Sequence, residues 1–318
     1  MRSYLEFEKP LADIEGRIHA LRSEAGPDPG EETLAEILKL ESRAEETLVE
    51  LYSKLTAWDK TQIARHPDRP HFKDYLDAFV TDFVPLAGDR YFAEDEAIVA
   101  GLGRFDGQSV AIIGHEKGAD TQSRLKHNFG MARPEGYRKA VRIMELADRF
   151  AVPVITLVDT AGAYPGVGAE ERGQAEAIAR SIETCLRVGV PIASVITGEG
   201  GSGGAMAIAA ANRVYMLEHS IYSVASPEAA ASIVWRDSTR ARDVAAAMKI
   251  TAQDLQQLGI IDGIIPEPVG GAHRAMQEVM AATAATLRGA LAELSPLDAA
   301  TLRRQRREKF LAIGRNLG

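Results

Sequence analysis

One stretch of this chain, Gly198-Glu199-Gly200-Gly201-Ser202-Gly203-Gly204-Ala205, has a composition that can do chemistry without a reactive side chain. Five glycines in seven residues strip the Cβ atoms from a turn, so a ligand can approach the backbone closely. The β-rich run Val190 to Thr197 precedes it, and the small, helix-forming run Ala205 to Ala211 follows it. That order predicts strand, glycine turn and helix N-terminus. The first N–H groups of a helix have no partner within it, and the helix dipole reinforces them. They suit an anion, or an oxygen that is gaining negative charge. Three uses compete. Gly198, Gly200 and Gly203 fit the dinucleotide spacing G-x-G-x-x-G, with Glu218 downstream for a ribose contact. Main-chain donors can instead form an oxyanion hole. The glycines can also serve only to let a helix pack tightly on a strand. A P-loop is disfavoured, because no Lys-Ser/Thr follows the glycines.

A second glycine-rich turn precedes the first. Val152 to Val158 is a continuous apolar strand that ends in Asp159-Thr160-Ala161-Gly162-Ala163-Tyr164-Pro165-Gly166-Val167-Gly168. A helix is expected from Ala169 to Val188, and then the strand Val190 to Ile196. Strand, helix, strand with a helical crossover gives two parallel strands whose C-terminal loops open on one edge of the sheet. Ligands of open α/β sheets bind at that edge. A dinucleotide fold carries its glycine turn on its first strand, whereas this one comes late and is paired with another. The pairing favours the oxyanion use. Ser202 lacks a Gly-x-Ser-x-Gly elbow and an evident histidine partner, so main-chain donors rather than a serine nucleophile would do the work.

The remaining chain must position these turns. Leu11, Ile14, Ile18 and Leu21 form a helical stripe, Gly26-Pro27-Asp28-Pro29-Gly30 breaks it, and Leu34, Ile37, Leu38, Leu48, Leu51, Tyr52 and Leu55 form a second stripe. This predicts an N-terminal helical hairpin whose thin apolar seam favours contact with a partner. Tyr75 to Phe83 reads as helix, and Ala97 to Arg104 with Ser109 to Gly114 as a β-hairpin around Asp106-Gly107. A basic loop carries Lys117, Arg124, Lys126, His127, Arg133 and Arg138, and a helix follows from Pro134 to Phe150. Arg213 to Leu217, Ser220 to Val224 and Gly259 to Ile265 read as short strands. Ser226-Pro227 and Thr251-x-x-Asp254 read as helix starts. The domain boundaries expected are an extension over 1–58, an α/β domain over 59–275 and a helical tail over 276–318.

With 318 residues, 46% hydrophobic and 26% charged, the chain has the composition of a soluble globular protein. A net charge of −8 argues against general nucleic-acid binding. The one cysteine, Cys185, lies in a helical pattern and reads as a buried small hydrophobe. His127 has no second ligand at metal spacing, so no metal site is expected. The N-terminus has no apolar signal core and no run is long enough to span a bilayer, which points to the cytoplasm.

Several long motifs resemble the alpha subunit of the bacterial acetyl-CoA carboxylase carboxyltransferase family. They are Asp159-Thr160-x-Gly162-Ala163-Tyr164-Pro165-Gly166-Val167-Gly168-Ala169-Glu170-Glu171-Arg172-Gly173-Gln174, the stretch Gly198 to Ala205, and Ile265-Pro266-Glu267-Pro268-x-Gly270-Gly271-Ala272-His273-Arg274. Ala64-Arg65-His66-Pro67, Leu86 to Arg90, Asn128 to Met131 and Pro134 to Ala140 share in it, so the resemblance covers nearly the whole chain in order. It implies a crotonase-type α/β fold of repeated β-β-α spirals with an N-terminal helical extension. It also implies carboxyl transfer from carboxybiotin, the co-substrate held on a biotin carboxyl carrier protein, to acetyl-CoA. The product is malonyl-CoA, for fatty acid biosynthesis. Carboxybiotin releases CO2, the charged ureido oxygen draws a proton from the acetyl methyl group, and the enolate attacks CO2. The family holds the biotin oxyanion on the alpha subunit and the enolate on the beta subunit. Carried over, the amides of Gly203 and Gly204 hold the biotin oxygen. Gly162, Ala163, Tyr164 and Gly166, with Gly200 and Gly201, bind around it.

Ala161 departs from the family's usual proline. No cofactor is expected on this chain, and zinc is expected only on the beta subunit. The expected assembly is an α2β2 heterotetramer that works with biotin carboxylase. Arg124, Lys126 and Arg133 are candidates for CoA phosphates or the partner. A self-sufficient acyl-CoA hydratase or isomerase and a nucleotide-binding subunit are the alternatives.

Overall fold

The computed structural model describes residues 3–26 and 30–315. Pro27 to Pro29, in the expected helix break, lie outside the described residues. Among the described residues, eight strands form one sheet: β1 Val80–Pro85, β2 Ile98–Phe105, β3 Gln108–His115, β4 Val154–Thr160, β5 Ile192–Gly201, β6 Arg213–Leu217, β7 Ile221–Ser223 and β8 Gly263–Ile265. The sheet order is β1-β2-β3-β4-β5-β6-β8, with β7 also paired to β5. The first two pairings are antiparallel, including the expected hairpin, and the rest are parallel. Every residue of β4 and β5 is buried. Val154, Val158, Ile192 and Ile196 face one core with the helices Pro134–Arg149 and Gln174–Arg187. Ile155, Leu157, Ala193 and Val195 face the other with the helices Phe72–Phe79 and Met276–Leu294. Period-two side chains thus feed two layers, as a sheet covered on both faces requires.

Two features of β5 organise the functional edge. Its first half pairs with β6 and its second half with β7, so the strand changes partner midway, which gives the sheet its spiral turn. Its pairing with β4 also slips, from Val158 opposite Ile196 to Thr160 opposite Gly200. Asp159 alone spans that slip, and its Oδ1 accepts the Glu199 amide at 2.8 Å.

Several expectations are corrected. Helix ends at Phe79 rather than continuing to Phe83, because Val80–Pro85 pairs with β2. The helix expected from Ala169 breaks at Arg172-Gly173, leaving Val167–Glu171 and Gln174–Arg187. The N-terminal stripes close on each other. Leu11, Ile18, Leu21, Ile37 and Ala44 bury one seam between Lys9–Ala25 and Glu31–Ser53, while Leu34 and Leu38 of the second stripe stay exposed. Cys185 is buried as expected, and burial pushes its thiol up to about 12. No helix among the described residues is long and apolar enough to cross a membrane.

Candidate functional site

The glycine stretch is not a loop. β5 runs through Gly201, and the helix Ser202–Ala209 starts at once. Pairing of Glu199 to Gly201 with Ile221 to Ser223 holds this segment extended despite its glycines. The direct entry from strand to helix is made at Ser202, which has φ of 50°, a region costly for a residue with a Cβ. Gly201 at the N-cap makes no side-chain cap, and among the described residues no side-chain hydrogen bond to the first-turn amides is formed.

Each glycine has a distinct role. A Cβ on Gly198 would collide with the Asp159 carboxylate, and one on Gly201 with the Ala161 carbonyl. On Gly200 it would stand 2.8 Å from the Tyr222 ring, and on Gly204 2.7 Å from Ala163 N and Gly162 C. Gly198, Gly201 and Gly204 let β5 and its helix lie against the neighbouring turn, and Gly200 makes room for Tyr222 of β7, so the packing use is real. Gly203 differs, since its Cβ would meet only Ile178, at 3.3 Å. Gly203 lines an open cleft of about 590 Å³ with Ala161, Gly162, Ala163 and Ser202.

The two turns therefore meet, as parallel neighbours should. Gly162, Ala163 and Gly203 face the cleft, and Gly204 lies buried directly behind Gly162-Ala163. Gly200 and Gly201 are buried in the strand that leads into the cleft. Tyr164 and Gly166 are not among the residues lining it. The Tyr164 ring packs on Gly166 beneath the Arg133 guanidinium, 5.0 Å from the ring centre. Its backbone is fixed by Tyr164 N donating to Ala132 O at 3.0 Å and by Gln174 donating to Tyr164 O at 2.9 Å. Arg124 donates to Gly118 O, and Lys126 pairs with Glu96 at 2.9 Å.

Beneath the cleft lies a charged chain that the sequence did not reveal. Lys117 reaches Asp159 at 2.7 Å and Glu199 at 3.2 Å. Arg65 reaches Glu199 at 2.7 Å and Glu228 at 2.5 Å. Burial would raise the Glu199 carboxyl, but the Lys117 and Arg65 charges outweigh it and hold it below the ordinary range. Burial would lower the Lys117 ammonium, but Asp159 and Glu199 hold it high. Asp159 and Glu199 sit at C-terminal ends of parallel strands, the one signal in the sequence that marks them. Arg65 and Lys117 come from the distant segments after the helix Ala57–Ala64 and after β3.

The dinucleotide use fails on geometry. Glu218 turns away and accepts the Glu267 amide at 3.0 Å. The cleft instead offers uncapped helix amides beside a buried ionic frame, an arrangement suited to an oxygen that gains charge.

Residues 4–314 match the family described as acetyl co-enzyme A carboxylase carboxyltransferase-like. The chain is 67% identical, over 317 residues and the full length of both chains, to the acetyl-coenzyme A carboxylase carboxyl transferase subunit alpha of Agrobacterium fabrum (strain C58 / ATCC 33970). It is 65% identical over the same span to the subunit of that name from Rhizobium meliloti (strain 1021). Among solved structures it resembles transcarboxylase 12S, with a TM-score of 0.54 and 20% identity over 69% of this chain. It also resembles the beta subunit of P. aeruginosa geranyl-CoA carboxylase, with a TM-score of 0.54 and 17% identity over 73% of this chain. The chain spans 42% of each of those two chains. The α/β crotonase-type fold expected from the resemblance is the one these structural likenesses bear out. The chain belongs to the acetyl-CoA carboxylase carboxyltransferase alpha-subunit family.

Proposed function

We propose that the cleft at Gly203 is where this carboxyltransferase alpha subunit stabilises the oxygen of biotin that gains charge as the carboxyl group leaves for acetyl-CoA. The observation that carries this is the uncapped start of the helix Ser202–Ala209, opening at Gly203 into the cleft. The Gly203 and Gly204 amides donate to that oxygen, at a site whose donors are already fixed before the reaction. Gly162 and Ala163 wall the cleft, and the buried packing of Gly204 against them sets the direction of the amides. Lys117, Asp159, Glu199 and Arg65 brace the ends of β4 and β5 so that the donors do not drift. None of these groups needs to act as a general base.

The chain works in the cytoplasm with a beta subunit as α2β2. The beta subunit supplies the zinc ribbon and the donors for the thioester enolate, and the biotin carboxyl carrier protein delivers the carboxyl group. Mixing this chain with its beta partner, biotin carboxylated at nitrogen and acetyl-CoA tests the reading. Malonyl-CoA is expected from the mixture and from neither subunit alone. Turnover of an enoyl-CoA by this chain alone would favour a self-sufficient hydratase or isomerase instead.

A further inference from the structure

The ionic chain under the cleft ends in an asymmetry. Glu199 accepts from Arg65 Nε at 2.7 Å and from Lys117 at 3.2 Å, its amide is held by Asp159, and its side chain is 9% exposed. It bridges the two cations and has little exposed surface through which to turn away. Glu228 is 38% exposed at the second position of the helix Pro227–Trp235, and Arg65 is its one ion-pair partner among the described residues. It takes the outer face of the guanidinium as a fork, Nη1 to Oε1 at 2.5 Å and Nη2 to Oε2 at 3.2 Å. Planar guanidinium gives this two-point contact to carboxylates in general. Arg65, Glu199 and Glu228 all line the cleft that holds Gly203.

We propose that Arg65 is a carboxylate-binding residue of the cleft and that Glu228 occupies its fork until a substrate carboxylate displaces it. This deepens the functional reading above and rests on it. Asp159, Glu199 and Glu228 supply three negative charges against the two cations Lys117 and Arg65. Exchanging Glu228 for the carboxylate of the carboxyl donor or of the malonyl product therefore keeps every cation paired. The released Glu228 side chain, already partly in water, turns outward. An acetyl group has no carboxylate to exchange and leaves the fork closed. Arg65 thereby discriminates carboxylated from uncarboxylated forms of substrate, next to the amides that receive the developing oxyanion.

The test is the reverse reaction of the assembled alpha–beta complex, malonyl-CoA with biocytin as acceptor, alongside the forward reaction with acetyl-CoA. Glu228→Gln removes the competing charge but keeps the side-chain volume. The KM for malonyl-CoA should fall about fivefold or more relative to that for acetyl-CoA, in line with the strength of a charge-assisted hydrogen bond. Arg65→Lys loses the fork and should raise the malonyl-CoA KM about tenfold relative to acetyl-CoA. A pair that merely fastens the helix would shift both KM values together. An unchanged KM ratio in both variants, with the wild-type complex active, would overturn the inference alone. A wild-type complex with no carboxyl transfer would overturn the functional reading.

Discussion

Gly204→Val should lower carboxyl transfer by the assembled complex about 10²–10³-fold, the range seen when a fixed oxyanion donor is lost. A side chain at 204 would start 2.7 Å from the backbone of Gly162 and Ala163 and 3.0 Å from the buried Tyr137 hydroxyl. Backbone at that distance cannot rotate out of the way. Either the helix Ser202–Ala209 backs away from β4 or the 162–163 turn is pushed into the cleft, and in both cases the amides lose their aim. Misplacement of about 1 Å at such a site can cost about 10²-fold. Because the same clash bears on folding, Gly203→Ala is its companion. Its Cβ meets only the Ile178 side chain, at 3.3 Å, so the thermal midpoint should hold while a methyl group enters the cleft. A drop in kcat of about tenfold is expected there. Full activity in a folded Gly204→Val complex would remove the basis for the amide role.

The largest stability effect is expected at Arg69. Its side chain is 3% exposed and pairs with Glu267, which is fully buried, through contacts of 2.8 and 2.7 Å. It also donates twice to the Thr197 carbonyl, at 3.1 and 2.9 Å, just ahead of the glycine stretch. Glu267 further accepts the amides of His219 at 3.0 Å and Ala272 at 2.7 Å. Arg69→Met leaves that carboxylate buried without its counter-ion, and urea unfolding at neutral pH should register a loss of about 3–5 kcal/mol. Replacing both partners with methionine should recover only part of it, because the unpaired charge is gone but the His219 and Ala272 amides and the Thr197 carbonyl lose their side-chain partners.

The pH dependence follows with a definite sign. Burial would raise the Glu267 carboxyl, but Arg69 outweighs it and holds it at about 2. Its contribution in the native protein is therefore complete above the usual carboxylate range and is lost as pH falls toward that value. In Arg69→Met the largest force holding the carboxyl down is lost and burial is opposed chiefly by the His219 and Ala272 amides, so the folded carboxyl moves up from its native position. The deficit should be largest at neutral pH and shrink in acid. An equal deficit across that range would contradict the assignment.

What the sequence discloses about this molecule is local. Continuous apolar runs mark β4 and β5, and the caps Ser226 and Thr251 fall where expected, accepting from Ala229 and Asp254 amides. The two turns could be placed on one sheet edge because parallel strands joined by a helix leave no other arrangement. The extension of β5 through Gly201 was hidden, because glycines signal a turn until a partner strand, here β7, claims them. The ionic frame was hidden for a different reason. Arg65 lies 134 positions from Glu199, and Lys117 lies 82 away. A lone carboxylate inside a glycine run does not name its cations. Tyr164 is conspicuous in its motif, and its ring packs on Gly166 beneath Arg133, contacts that the motif does not disclose.

The most direct measurement is a crystal structure of the alpha–beta complex with biotin bound. The ureido oxygen should lie about 2.7–3.1 Å from the Gly203 and Gly204 amide nitrogens, the distance an oxyanion hole requires. A ureido oxygen held by other donors, with both amides turned from it, would contradict the assignment of this cleft.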